Sequence, residues 1–161
     1  KLINFNEDMD WNTHIGDSVK IKNTIVTSDP LEKGERKKLN FGHTIGHAIE
    51  SYALTEDFDL LHGEAVALGM YAEAYISFKK NFLSNEEWIE ISTILMLNYA
   101  QVQLPDYQLI PILDFLKNDK KNLDNKPMFT LLSSIGESRV NQEVEEDLIQ
   151  EAIEKTWEAW M

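Results

Sequence analysis

Apolar residues recur at helical rather than alternating spacing along most of this chain. Between Thr13 and Ser28 the pattern is carried by Ile15, Val19, Ile25 and Val26, with Thr13 placed as an N-cap. Asp29-Pro30 ends it, because the residue before a proline is pushed out of the α region. Leu31 to Glu35, with Gly34, reads as a charged loop. A second helix is expected from Arg36 to Tyr52. A third begins at His62 and runs through Phe78, apolar on nearly every side, as suits a helix in the middle of a bundle. Ser84-Asn85-Glu86-Glu87 has the capping-box pattern and opens a fourth helix ending near Ala100. Pro105 breaks the chain, Tyr107 to Lys117 gives a short fifth helix, and Glu145 to Trp160 a last one. Met128 to Leu132 and Ser138 to Val140, around Ile135-Gly136, read as a small hairpin. The predicted fold is mainly α: a helical bundle with a small β-hairpin, over residues 13–161, preceded by an irregular arm at 1–12.

Composition narrows the partners. The 161 residues are enough for one compact domain, and their 43% hydrophobic content supplies a core. A formal net charge of -13 would be repelled by nucleic acid and by anionic lipid, so neither is expected as a partner. No apolar run approaches the roughly 20 residues of a membrane span, and the first residues do not form a signal peptide. With no cysteine, disulfide and thiolate chemistry are excluded, which fits a cytoplasmic location. A chain opening on Lys1 rather than Met reads as a piece of something longer.

The chemistry concentrates on the second expected helix. At about 100° per residue, Arg36, Asn40, His43 and His47 fall within an arc of roughly 60°. Phe41, Ile45, Ala48, Ile49 and Tyr52 lie on the other side. A solvated helix face is usually built of Glu, Lys and Gln, whereas this one offers a guanidinium, an amide and two imidazoles. Gly42 and Gly46 flank it, each costing roughly 1 kcal/mol relative to Ala, so a close approach by another backbone or a ligand is expected to offset them. Two His at i and i+4 form a half-site for zinc or iron, or give one metal ligand and one substrate contact. Thr44 stands where a metalloprotease carries its Glu, which argues against that class.

His62, in Leu61-His62-Gly63-Glu64, is the next candidate, placed where a rigid helix can project it into a cleft. Alone it would read as a locally hydrogen-bonded histidine. Glu64 is either a partner that orients an imidazole or a first-turn acid favoured by the helix dipole, the second being the cheaper reading. His14 has no comparable company and reads as a surface residue. Lys20, Lys22, Arg36 and Lys120-Lys121 are scarce cations in an acidic chain and are candidates for an anionic pocket.

Four stretches carry a resemblance. Lys22 to Asp29, Glu32-Lys33-Gly34-Glu35-Arg36, Leu39-Asn40-Phe41-Gly42-His43-Thr44-Ile45-Gly46-His47-Ala48-Ile49-Glu50 and His62-Gly63-Glu64-Ala65-Val66-Ala67-Leu68-Gly69-Met70 closely resemble the 3-dehydroquinate synthase family of sugar-phosphate cyclases. Asp119-Lys120-Lys121 and Phe129 to Gly136 match the same family's tail. The resemblance implies the helical C-terminal domain of a two-domain enzyme whose N-terminal domain binds NAD and is absent from these residues.

It further implies that His43 and His62 are metal ligands, for zinc or else cobalt, with a third ligand, a glutamate, on the preceding domain. Lys22, Glu32, Arg36, Asn40, His47 and one or both of Lys120 and Lys121 match substrate-site residues, the arginine and lysines near a carboxylate and hydroxyls, Asn40 and His47 near a phosphate. The implied reaction takes 3-deoxy-D-arabino-heptulosonate 7-phosphate to 3-dehydroquinate and phosphate, with NAD oxidising one hydroxyl transiently. The phosphate itself takes the proton, so no protein residue is assigned as sole base. The complete enzyme is implied to be a homodimer, and these residues alone are expected to bind metal weakly and not to turn over. Two other readings are weighed beside it. One is another sugar-phosphate cyclase or a metal-dependent polyol dehydrogenase; the other is a non-catalytic helical interaction module using the acidic surface.

Overall fold

The computed structural model describes residues 9–118 and 126–161. It is a helical bundle in the order α1 (Trp11–Ser28), a 3-10 helix (Glu35–Asn40), α2 (His43–Thr55), α3 (His62–Lys79), α4 (Asn85–Asn98), α5 (Leu109–Lys117), β1 (Phe129–Ser134), β2 (Glu137–Gln142) and α6 (Glu146–Trp160). The mainly α fold with one hairpin is the one the sequence predicts.

The third helix is the axis of the bundle, with α2, α4, α6 and β1 packed around it. On one side Ile45, Ile49 and Tyr52 of α2 meet Leu68 and Ile76 of α3, Ile112 and Leu116 of α5, and Ile153 and Trp157 of α6. On another, Tyr71 and Ala74 pack with Leu83, Ile91 and Leu95, flanked by Trp88 and Trp160. The indoles also carry polar anchors: Trp157 Nε1 donates to Pro105 O at 3.1 Å and Trp160 Nε1 to Tyr99 O at 2.9 Å. The helix is less uniformly apolar than its pattern suggests, since Glu73 and Ser77 are fully buried within it.

The hairpin pairs Phe129 with Gln142 and Leu131 with Arg139, turning at Gly136, whose φ is +95°. It ties neighbouring elements together. Thr130 Oγ1 donates to Lys37 O at 2.9 Å, Leu132 N to Ser77 Oγ at 3.0 Å, and Thr44 Oγ1 to Met128 O at 3.2 Å. At α4 the expected capping box is present: Glu87 N donates to Ser84 Oγ at 3.2 Å and Ser84 N to Glu87 Oε2 at 3.0 Å.

Three expectations are corrected. The first helix starts at Trp11, capped by Asp10, whose carboxylate accepts from Thr13 N, so Thr13 is the recipient of the cap and not its source. None of that helix is buried, and Ile15 and Val19 are 57% and 61% exposed. The continuous helix expected from Arg36 to Tyr52 is two helices, broken at Phe41-Gly42. Gly42 takes φ +83°, and a Cβ there would lie 2.8 Å from Val66 O and 2.9 Å from Met70 N, so the turn is pressed against the backbone of α3.

Candidate metal and substrate site

Two helices deliver three imidazoles to one place. His43 and His47 stand one turn apart on α2, and His62 opens α3. Ring centroids lie 5.3 Å apart for His43–His47 and 5.7 Å for both His43–His62 and His47–His62. One ring nitrogen from each falls within 4.8 Å of the others. The approach depends on glycine. Gly42 and Gly46 of α2 and Gly69 of α3 bring the two backbones into contact: a Cβ on Gly46 would stand 2.8 Å from Ala65 O, and one on Gly69 would stand 2.6 Å from Gly46 N. The close neighbour expected beside Gly42 and Gly46 is thus a backbone.

Hydrogen bonds fix two of the rings. His43 Nδ1 faces Phe41 O at 3.2 Å and His62 Nδ1 faces Glu50 Oε2 at 3.2 Å. A carbonyl or carboxylate oxygen only accepts, so Nδ1 donates in both, and in the neutral ring this leaves the lone pair on Nε2. That is the arrangement of an imidazole prepared to ligate. Glu64 takes the cheaper of its two readings: its Oε2 accepts from Leu61 N at 2.9 Å at the start of α3. The carboxylate that His62 meets is Glu50, which sequence proximity to His62 did not indicate.

A buried carboxylate holds the turn between the stripe's two halves. Glu73 Oε2 accepts from Gly42 N at 2.7 Å, and Oε1 from Thr44 N and Ile45 N at 3.1 and 3.2 Å. These are the orphan donors of the first turn of α2, satisfied from α3. Burial pushes the Glu73 carboxyl up to about 8, with the three N–H donors pulling against it. A folded-state pKa above the unfolded value of 4.5 means the folded protein keeps a proton that the unfolded chain releases. Glu73's contribution to stability is therefore full below pH 4.5 and lost as pH rises through about 8. Denaturation midpoints measured from pH 5 to 8.5 are expected to fall, with a shallower slope in Glu73→Gln.

Upstream, a second polar group forms. Asn40 Nδ2 donates to Glu32 Oε1 at 2.6 Å, and Arg36 Nε lies 3.7 Å from Glu32 Oε2. Arg36 Nη1 also donates to Pro30 O at 3.2 Å. Because these residues sit on a 3-10 helix with three residues per turn, Arg36 and Asn40 are about 120° apart and not on one stripe. Glu32 carries them together from a left-handed φ of +53°. The loop is organised by Asp29, whose carboxylate accepts from Lys33 N, Gly34 N and Arg36 N at 2.9, 2.7 and 3.2 Å. Those donors, Lys33 N first, hold its carboxyl below the usual range. Lys22 is exposed on α1 and, among the described residues, makes no hydrogen bond or ion pair through its side chain. Lys120 and Lys121 lie outside the described residues.

The model of the 3-dehydroquinate synthase C-terminal family matches residues 1–122. The 3-dehydroquinate synthase of Parabacteroides distasonis is 37% identical over 143 residues, covering 89% of this chain and 40% of the relative. That of Clostridium beijerinckii is 44% identical over 118 residues, covering 73% of this chain and 33% of the relative. The chain thus spans about two fifths or less of the relatives it matches. Among solved structures, 2-deoxy-scyllo-inosose synthase complexed with carbaglucose-6-phosphate, NAD+ and Co2+ superposes with a TM-score of 0.78 at 25% identity, over 96% of this chain and 48% of that one. The 2-epi-5-epi-valiolone synthase of Streptomyces hygroscopicus, with NAD+ and Zn2+ bound, shares the fold at a TM-score of 0.70 and 21% identity, over 91% of this chain and 40% of that one. No helix of the described residues is long and apolar enough to cross a membrane. Matched over most of its length by sequence, the chain belongs to the 3-dehydroquinate synthase family and corresponds to that family's C-terminal part.

Proposed function

We propose that this chain is the metal- and substrate-binding part of a 3-dehydroquinate synthase of the shikimate pathway, acting in the cytoplasm. The reaction converts 3-deoxy-D-arabino-heptulosonate 7-phosphate to 3-dehydroquinate and phosphate, completed by an NAD-binding region outside these residues and by a homodimeric whole. The observation that carries the reading is the convergence of His43, His47 and His62, nitrogens within 4.8 Å of one another.

The donor set suits a divalent metal. Neutral imidazoles ligate zinc at about 2.0–2.1 Å, and the similar solved structures hold Co2+ in one case and Zn2+ in the other. His43 and His62 would hold the metal together with a glutamate from the preceding region, and His47 would meet the substrate phosphate. When bound, the metal supplies Lewis-acid polarisation of substrate oxygens. The chain's own residues do the rest. Arg36 presents a permanent cation to the substrate carboxylate, Asn40 donates to an anionic oxygen, and Glu32 holds both. Lys22, Lys120 and Lys121 are assigned to the same anionic substrate.

Likeness to 2-deoxy-scyllo-inosose synthase supports a second reading, another sugar-phosphate cyclase. The two differ in a group that a cation can read: the heptulosonate phosphate carries a carboxylate and a hexose phosphate does not. Phosphate release is the test, with NAD and Co2+ supplied, for this chain alone and joined to the NAD-binding region of a curated relative. Turnover is expected only in the joined protein and only with the carboxylated substrate. Arg36→Ala should raise KM for it by roughly 10- to 100-fold, the worth of a charge-assisted contact. Release from glucose 6-phosphate instead would favour the second reading.

A further inference from the structure

Glu50 is a carboxylate that the proposed reaction does not use, yet it touches a residue that the reaction needs. On α2 it follows His43 by seven residues and His47 by three, so at about 100° per residue all three side chains fall within roughly 60°. The face that presents two imidazoles therefore also presents this acid. It crosses to α3, where Oε2 accepts from His62 Nδ1 at 3.2 Å.

The contact has little competition. His62 is 57% exposed, so packing does little to fix its ring, whereas Glu50 is only 28% exposed and is rooted in a buried helix. Glu64, the acid nearer to His62 in sequence, is engaged with Leu61 N. Among the described residues the Glu50 carboxylate has no other partner.

We propose that Glu50 is a positioning residue for the imidazole site: it holds His62 in the tautomer whose lone pair is on Nε2 and aims that nitrogen at the point where His43 and His47 converge. This rests on the reading of His62 as a metal ligand. Loss of a partner of this kind weakens metal affinity by about 10- to 100-fold.

Two measurements on the full chain test it. Co2+ titration followed by visible absorption reads affinity, and nitrogen-15 NMR of the metal-free protein reads the His62 tautomer. In Glu50→Ala, affinity is expected to fall by about 10- to 100-fold and the Nδ1–H tautomer to lose its dominance. Glu50→Gln, whose amide oxygen still accepts from Nδ1, should keep the tautomer and recover most of the affinity. Metal-free melting curves check the fold, and Glu50→Met, which keeps volume without an acceptor, replaces the alanine variant if that one melts early. Unchanged affinity and tautomer in Glu50→Ala would overturn the assignment. If the unaltered chain binds no Co2+, the titration is repeated in the protein joined to the NAD-binding region, where absence of binding refutes the metal reading, and the tautomer alone then decides Glu50: retained in Glu50→Ala it refutes the role, lost it supports it.

Discussion

His43→Ala and His62→Ala are each expected to abolish binding of one Co2+ per chain, a larger loss than the roughly 100-fold ceiling for removing an outer partner. The reason is geometric. A tetrahedral ion with bonds of about 2.0–2.1 Å asks its nitrogens to stand roughly 3.4 Å apart, and the three imidazole nitrogens already lie within 4.8 Å. Small ring rotations close that gap, but no other His, Asp or Glu of the described residues belongs to the cluster. Removing either oriented ring therefore leaves too few donors. Two imidazole ligands alone would give this chain weak binding at best. With His47 at 5.3 and 5.7 Å from its neighbours, modest affinity without any further domain becomes the expected result. In the protein joined to the NAD-binding region, where a glutamate completes the site, His47→Ala should weaken Co2+ binding less than the other two and act mainly on KM for the phosphorylated substrate. Calorimetry on the four proteins reads the Co2+ affinities, and phosphate release from the joined protein reads KM. Undiminished binding in both the His43 and His62 variants would support the non-catalytic interaction module.

What the sequence made legible and what it did not divide along a physical line. Features set by local chemistry were readable: the Ser84 capping box, the Asp29-Pro30 stop, and the hairpin around Gly136 each depend on residues a few positions apart. The pairing of His43 with His47 was readable for the same reason, since one turn of helix joins them. Features set by distant contacts were not. The break at Gly42 interrupts no apolar period; it comes from Glu73, 31 residues on, gripping Gly42 N and from the α3 backbone leaning on the turn. Glu73 itself hides in a helix whose surroundings read as apolar throughout. Glu50 is not legible because Glu64 is closer to His62 along the chain, whereas helix packing brings Glu50 to the ring and leaves Glu64 on Leu61 N. The apolar stripe of α1 was readable as a pattern, but the surface it calls for is not among the described residues.

Gly69→Ala is expected to be the most damaging single methyl in the chain. In an open helix the change would gain about 1 kcal/mol from propensity. Here the new Cβ would overlap Gly42 O, stand 2.6 Å from Gly46 N and 2.9 Å from Gly42 C. All three are backbone atoms, so no side chain can swing aside; α2 and α3 must part. Such overpacking costs about 3 kcal/mol or more, which outweighs the propensity gain. Parting the helices also pulls Glu73 from Gly42 N and carries His62 away from His43 and His47, so the fold and the imidazole site share one point of failure. Gly16→Ala on α1, where a Cβ meets nothing within 4 Å, provides the contrast and should leave the melting temperature unchanged or raise it. Denaturation midpoints and Co2+ titrations on the two variants read the difference. A Gly69→Ala protein as stable as the original, with its metal affinity intact, would mean that the two helices do not need to touch for the three rings to meet.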